Sequence, residues 1–194
     1  MKKYLLFFCI ALLSFTNSTD PVDRIGVKEP IKFNDLSFTL SWSDHPKDYY
    51  YIQEYLPQNE TSEHFNQMLT LHVFDKDVTA EAAMNQKVKE LEIRKKTDKL
   101  CNYQVIESPD GKEFVVDFLL SQSIGDKLSV IEFNAYRYKK VSVGNNKTGI
   151  LVYAYTKRSY GDDTTGFLQK LGDDRAKMLV AMRTVVLPEI LIHQ

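Results

Sequence analysis

Strict alternation of apolar and polar positions begins at Leu36. Leu36, Phe38, Leu40 and Trp42 fall on one side and Ser37, Thr39 and Ser41 on the other, and a period of two predicts a half-buried strand. Ser43-Asp44-His45-Pro46 reads as a turn, because Pro restricts the residue before it and lacks a donor. The aromatic-rich residues 49–56 predict a second strand closed by Pro57, and residues 68–74 a third. The period then lengthens. Ala80, Ala83, Met84, Val88 and Leu91 recur at helical spacing over residues 79–98. Thr79 suits the N-cap, Glu81 the first turn, and Arg94, Lys95, Lys96 and Lys99 the negative end of the helix dipole. The remaining Lys/Glu-rich positions read as a solvated face.

Four further strands are predicted, at residues 102–107, 113–121, 128–141 and 149–158. Pro109-Asp110-Gly111-Lys112, Gly125-Asp126 and Gly144-Asn145-Asn146 separate them. Turns this short join antiparallel neighbours, since a parallel crossover needs a dozen or more residues. A last helix is predicted over residues 163–186, with Phe167, Leu171, Met178, Met182 and Val185 on one side, Gly172 as a break and Pro188 as the stop. The order β-β-β-α-β-β-β-β-α predicts one α+β domain: an antiparallel sheet of about six or seven strands flanked by two main helices. Residues 114–120 are apolar on nearly both faces, so helices are expected over one side of the sheet and further chain over the other.

The chain start follows other physics. Lys2 and Lys3 precede an apolar run at residues 4–15, and Thr16-Asn17-Ser18 supply a polar, small-residue exit. That is the layout of a secretory signal peptide, too short for a bilayer span of about 20 residues. Cleavage is expected after Ser18. Phe7 and Phe8 before Cys9 do not suit a lipobox, and Cys101 is then the lone thiol of the mature chain. Residues 1–18 are therefore read as a signal peptide, 19–35 as a leader without sustained period, and 36–194 as the domain. The expected product is exported, periplasmic or extracellular in a bacterial source, with no transmembrane segment after cleavage.

Composition narrows the function classes. Apolar residues make up 43% of 194, against eight Gly and six Pro, which is enough apolar surface to build a core. Lys plus Arg number 25 and Asp plus Glu 26, so no basic field exists for nucleic acid. No Walker loop, GxGxxG, HExxH, GxSxG or CxxC occurs. Neither a catalytic residue nor a cofactor is expected.

The block Tyr55-Leu56-Pro57, Glu60-Thr61, Phe65 and Met68-Leu69-Thr70, followed by a strand and a helix, resembles small bacterial exported proteins of the PsbP-like fold class. That class includes the photosystem accessory protein PsbP and bacterial envelope proteins of the DcrB kind. The resemblance implies an antiparallel sheet flanked by helices and an accessory or binding role without shared catalytic residues.

Three constellations carry candidate chemistry. His64 and His72, with Asp75 and Asp77 nearby, are the nearest approach to a metal site, and a metal-assisted hydrolase using His64, His72 and a carboxylate is the alternative function. Gly161-Asp162-Asp163 and Gly172-Asp173-Asp174 offer paired carboxylates, read more simply as helix caps. Tyr136 and Tyr138 share a face of one predicted strand, and Tyr153 and Tyr155 share a face of the next. Pairing of those strands would make a four-tyrosine patch, either core or a surface for a protein, peptide or glycan. The leading expectation is a non-enzymatic exported binding or accessory module.

Overall fold

The computed structural model of the chain describes residues 21–192. The signal-peptide pattern at residues 1–18 lies outside the described residues. Strands β1 (Ile31–Phe33), β2 (Leu36–Lys47), β3 (Tyr50–Leu56) and β4 (Gln67–Phe74) form one antiparallel meander. Strands β5 (Asn102–Glu107), β6 (Glu113–Ile124), β7 (Lys127–Ser142) and β8 (Thr148–Tyr160) form a second. Pairing of β4 with β8 joins them into one curled eight-stranded sheet, ordered β1-β2-β3-β4-β8-β7-β6-β5. At that joint Gly149 has no side chain because a Cβ would collide with the Phe74 carbonyl oxygen.

Helix α1 (Ala80–Arg94) takes the chain from central β4 to the far edge strand β5, and α2 (Thr164–Thr184) follows β8 through a 3-10 turn at Gly161–Asp163. Thr79 caps α1 as expected, its hydroxyl accepting from the Ala82 amide at 3.0 Å. The α+β class and the antiparallel sheet match the sequence expectation. The eighth strand is β1, whose three residues are too few to show a period.

Four expectations need correction. Residues 43–46 are not a turn: β2 runs on through Pro46 to Lys47. Beyond Phe38 it has no partner on its outer side, so an edge position and a register shift between Asp44 and Lys47 absorb the missing donor. The leader is not separate from the domain. Ile25, Val27, Ile31 and Phe33 are buried in the main core, and Gln53 holds the segment by accepting from the Arg24 amide (2.6 Å) and donating to Asp23 (3.1 Å). Gly172 does not break α2. A helical glycine costs about 1 kcal/mol relative to alanine, which burial of Leu171, Met178, Leu179 and Met182 outweighs. Lastly, a helix covers each face rather than both covering one.

On one face α2, the N-terminal segment and the tail around Ile190 enclose Tyr51, Tyr55, Leu69, Leu71, Phe133 and Leu151. Two arginines fasten this cover. Arg175 on α2 donates to both carboxylate oxygens of buried Asp117, at 2.7 and 2.8 Å. Arg137 on β7 donates to the Met182 and Val185 carbonyls at the end of α2 (3.2 and 2.9 Å) and pairs with Glu113 at 2.6 Å. On the other face α1 buries Ala80, Met84 and Leu91 over β6 and β7. Its far end is fixed by Asp98, which accepts from the Ser121 amide (2.7 Å) and hydroxyl (2.6 Å). No described helix is long and apolar enough to cross a membrane.

Candidate ligand-binding site

Because α1 leaves β4 and heads for the far edge, it covers β6 and β7 but not the β3–β4 half of its face. Half-buried Ala83 and exposed Ala82 present only methyl groups on the α1 side, opposite large rings on the sheet. The result is a cavity of about 700 Å³, open at one side, between α1 and strands β3, β4, β7 and β8. That is within the roughly 300–1,000 Å³ of small-molecule sites. A second cavity of about 470 Å³ lies further along α1, and the two share Lys87, Glu90 and Tyr136.

Sheet register builds the floor. Phe74 stands opposite Tyr50, and His72 opposite Ile52 on β3 and Val152 on β8. Val152 in turn faces Tyr138, and Ala154 faces Tyr136. The rings of Tyr50 and Phe74 stack at 4.8 Å and those of Tyr50 and His72 at 6.0 Å, each pair within 8° of parallel. Tyr136 meets Phe118 edge-on at 5.0 Å. At the mouth, Lys76 lies 5.0 Å above the Tyr49 ring, and Lys87 lies 5.6 Å above Tyr136 while pairing with Glu90 at 2.7 Å.

His72 and the tyrosines Tyr50, Tyr136 and Tyr138 inside the cavity are neutral at physiological pH. Burial first, and the Lys87 charge second, push the His72 pKa down to about 3. Burial, then neighbouring Tyr136, raises Tyr50 to about 12. Tyr136 and Tyr138 are also raised by burial. One His72 nitrogen is committed, Nδ1 to the Tyr50 hydroxyl at 2.8 Å. Among the described residues, His72 Nε2 and the hydroxyls of Tyr136 and Tyr138 have no hydrogen-bond partner, yet none of these atoms is sealed from the cavity. Tyr138 is otherwise only 2% exposed. The arrangement can stack a ring and donate hydrogen bonds. A histidine with so low a pKa is not poised as a general base near pH 7.

The predicted patch divides. Tyr136 and Tyr138 line the cavity, but β7–β8 register sets Tyr153 opposite Arg137 and Tyr155 opposite Ala135. Those two tyrosines point through the other face into the α2 core, against Phe33 at 5.9 and 4.8 Å. The four therefore do not form one surface. The two histidines also separate. His64 lies before β4, stacked on Tyr160 at 4.3 Å, while His72 is near the other end of β4. Asp75 pairs with Lys147 at 3.5 Å and Asp77 is near Lys140 at 3.8 Å. Among the described residues no three His, Cys, Asp or Glu side chains converge, so the three-ligand arrangement is not formed.

Neither acidic triplet makes the expected cap. Asp163 occupies the N-cap of α2 without a side-chain capping bond, and Asp174 lies within the helix, paired with Lys157 at 3.3 Å. Cys101 is buried and its thiol pKa is raised, by burial first and Asp98 second, which opposes thiolate formation. The residues that the sequence pattern passed over are Tyr50, Phe74, Lys76, Lys87 and Glu90. The strand positions carried a parity signal, but Lys87 and Glu90 looked like any solvated helix face.

A model of an uncharacterised protein family matches residues 25–187. The match opens at Ile25, the first buried residue of the N-terminal segment, and closes just beyond α2. Searches of curated proteins and of solved structures return no match.

Proposed function

We propose that this chain, which belongs to the uncharacterised family whose model spans residues 25–187, is an exported, non-enzymatic binding module that holds a small ligand in the cavity between α1 and the sheet. The observation that carries the proposal is the pairing of an aromatic cavity with neutral, unpartnered polar atoms. Buried Tyr138 keeps a hydroxyl that no described residue satisfies, at the wall of a space large enough for a ligand. The charge pattern at residues 1–18 supports export. The curled antiparallel sheet with its flanking helices, together with the residue block around Tyr55 and Met68, supports placement in the PsbP-like fold class.

The binding proposal is tested by titrating the purified protein with a neutral solvatochromic dye such as Nile red. One saturable site is expected. Ala83→Trp, which fills the cavity from the α1 side, is expected to abolish it while leaving the thermal transition in place. Dye binding that ignores Ala83→Trp would remove the cavity from the proposal. Export is tested separately by N-terminal sequencing of the protein recovered outside the cytoplasm, with Thr19 expected as the first residue.

A further inference from the structure

The lining of the α1–sheet cavity also restricts what it can hold, and this inference rests on the binding proposal above. Its larger uncharged side chains are mostly rings: the purely aliphatic residues are Val78, Ala82, Ala83 and Val152. Three of the rings, Tyr50, Phe74 and His72, stand in nearly parallel planes, with 8° between Tyr50 and each of the other two. Parallel ring faces favour a further flat π-system, because offset stacking adds about 0.5–1.5 kcal/mol beyond area burial. A flexible acyl chain gains nothing from that geometry and loses rotamer freedom on entry.

Charge points the same way. The lining has two cations, Lys76 and Lys87, and one carboxylate, Glu90. Glu90 is already engaged by Lys87 at 2.7 Å, whereas Lys76 has no carboxylate partner among the described residues and rests only over the Tyr49 ring. Lys47 approaches the same ring, at 5.8 Å. A cationic ligand would therefore meet uncompensated positive charge at the mouth and no free carboxylate within. The unpartnered Tyr136 and Tyr138 hydroxyls and the Gln86 amide add donors for ligand oxygens.

We propose that the cavity binds a flat, conjugated molecule carrying one negative charge, an aromatic carboxylate in the simplest case, with its ring system against Tyr50 and Phe74 and its anionic group toward Lys76 and Lys87. The Tyr138 hydroxyl donates to an acceptor oxygen on the bound molecule.

Calorimetric titration of the purified protein at pH 7 with 2-naphthoate, 2-naphthylmethylammonium and dodecanoate tests this. 2-Naphthoate is expected to bind at one site, at least tenfold tighter than the ammonium and tighter than dodecanoate. Lys76→Met combined with Lys87→Met is expected to weaken 2-naphthoate about tenfold while the protein still binds Nile red. Tyr138→Phe is expected to weaken it several-fold. Equal affinity for the ammonium, or a double variant that binds 2-naphthoate like the parent, overturns the charge assignment. Tighter binding of dodecanoate overturns the planar assignment, as does absence of 2-naphthoate binding to protein that still binds Nile red at a site blocked by Ala83→Trp. In each of those cases the cavity remains a binding site. Nile red binding insensitive to Ala83→Trp, with no probe bound, instead removes the binding site itself.

Discussion

The two faces of the sheet receive similar residues and end in different states. Tyr153 and Tyr155 on β8 and Tyr136 and Tyr138 on β7 belong to neighbouring strands. On the α2 face the two β8 tyrosines are fully buried. The N-terminal segment, α2 and the tail close over them, and Arg137, Arg175 and Gln53 tie that cover down through hydrogen bonds. On the α1 face a single helix packs over β6 and β7, and Tyr50, His72 and Phe74 on β3 and β4 are left lining a cavity. A tyrosine on a sheet is therefore core or cavity wall according to the layer laid over it, not according to its strand. Among the described residues the cover of the α2 face leaves two buried polar atoms without a partner, the Tyr153 hydroxyl and Arg24 Nε.

The largest effect is expected from loosening the tight face. Arg175→Met leaves the Asp117 carboxylate, 6% exposed, without its bidentate partner. Breaking a fully buried pair costs about 3–5 kcal/mol, and with Arg175 itself 33% exposed the cost is expected at the lower end of that range. The midpoint of urea unfolding is expected to fall accordingly, while 2-naphthoate binding at the opposite face persists in the folded protein. Loss of the ligand site with little loss of stability would contradict the division of labour between the faces.

A smaller effect, reckoned per pH unit, is expected from pH, through the open face. His72 is surrounded by Tyr50 from β3, Tyr136 from β7 and Lys87 and Glu90 from α1. Its pKa is held down to about 3 in the folded chain, by burial and then by Lys87, against about 6.5 unfolded. Between those values the unfolded chain binds the extra proton, so stability is complete above about pH 6.5 and is lost as pH falls through the window. The slope approaches about 1.4 kcal/mol per pH unit. His72→Gln is expected to flatten that part of a stability-versus-pH curve, and an unchanged slope would show that His72 protonates freely when folded.

The smallest effect, and the sharpest contrast, comes from removing one hydroxyl on each face. Tyr153→Phe deletes a buried group with no partner and is expected to leave stability unchanged or raise it by about 1 kcal/mol without touching ligand affinity. Tyr138→Phe is expected to leave stability nearly unchanged and to weaken 2-naphthoate. Thermal melts paired with calorimetry on the two variants separate the outcomes. If both variants behave alike, the two faces do not differ in the way described.

Most element types were legible in the chain because their signals are local. The alternation at Leu36, the helical spacing of Ala80, Met84 and Leu91, and the Asp110-Gly111 turn each reflect residues a few positions apart. The failures mark where longer-range contacts override local preference. Pro46 is tolerated because β2 is an outer strand at that point, Gly172 because α2 packs on a core, and residues 25–33 because the sheet offers a place to bury them. The candidate site was half legible. Tyr136, Tyr138 and His72 were singled out from sequence, but Lys87 and Glu90 look no different in sequence from other solvated positions of α1.

By itself, then, the sequence determined the alternation of strands and helices, the antiparallel hairpins, and which residues share a face within one strand. Only the tertiary structure decided that β4 pairs with β8, that α1 and α2 take opposite faces, and how β7 and β8 line up. The last point separates the tyrosines. The loop at residues 143–147 brings Ser142 opposite Thr148, and that register pairs even-numbered positions with even. A loop one residue longer or shorter would have brought all four tyrosines to one face, because side chains alternate with a period of two. Periodicity is a property of neighbours in sequence, whereas register and face are settled by contacts that the chain makes only after it has closed on itself.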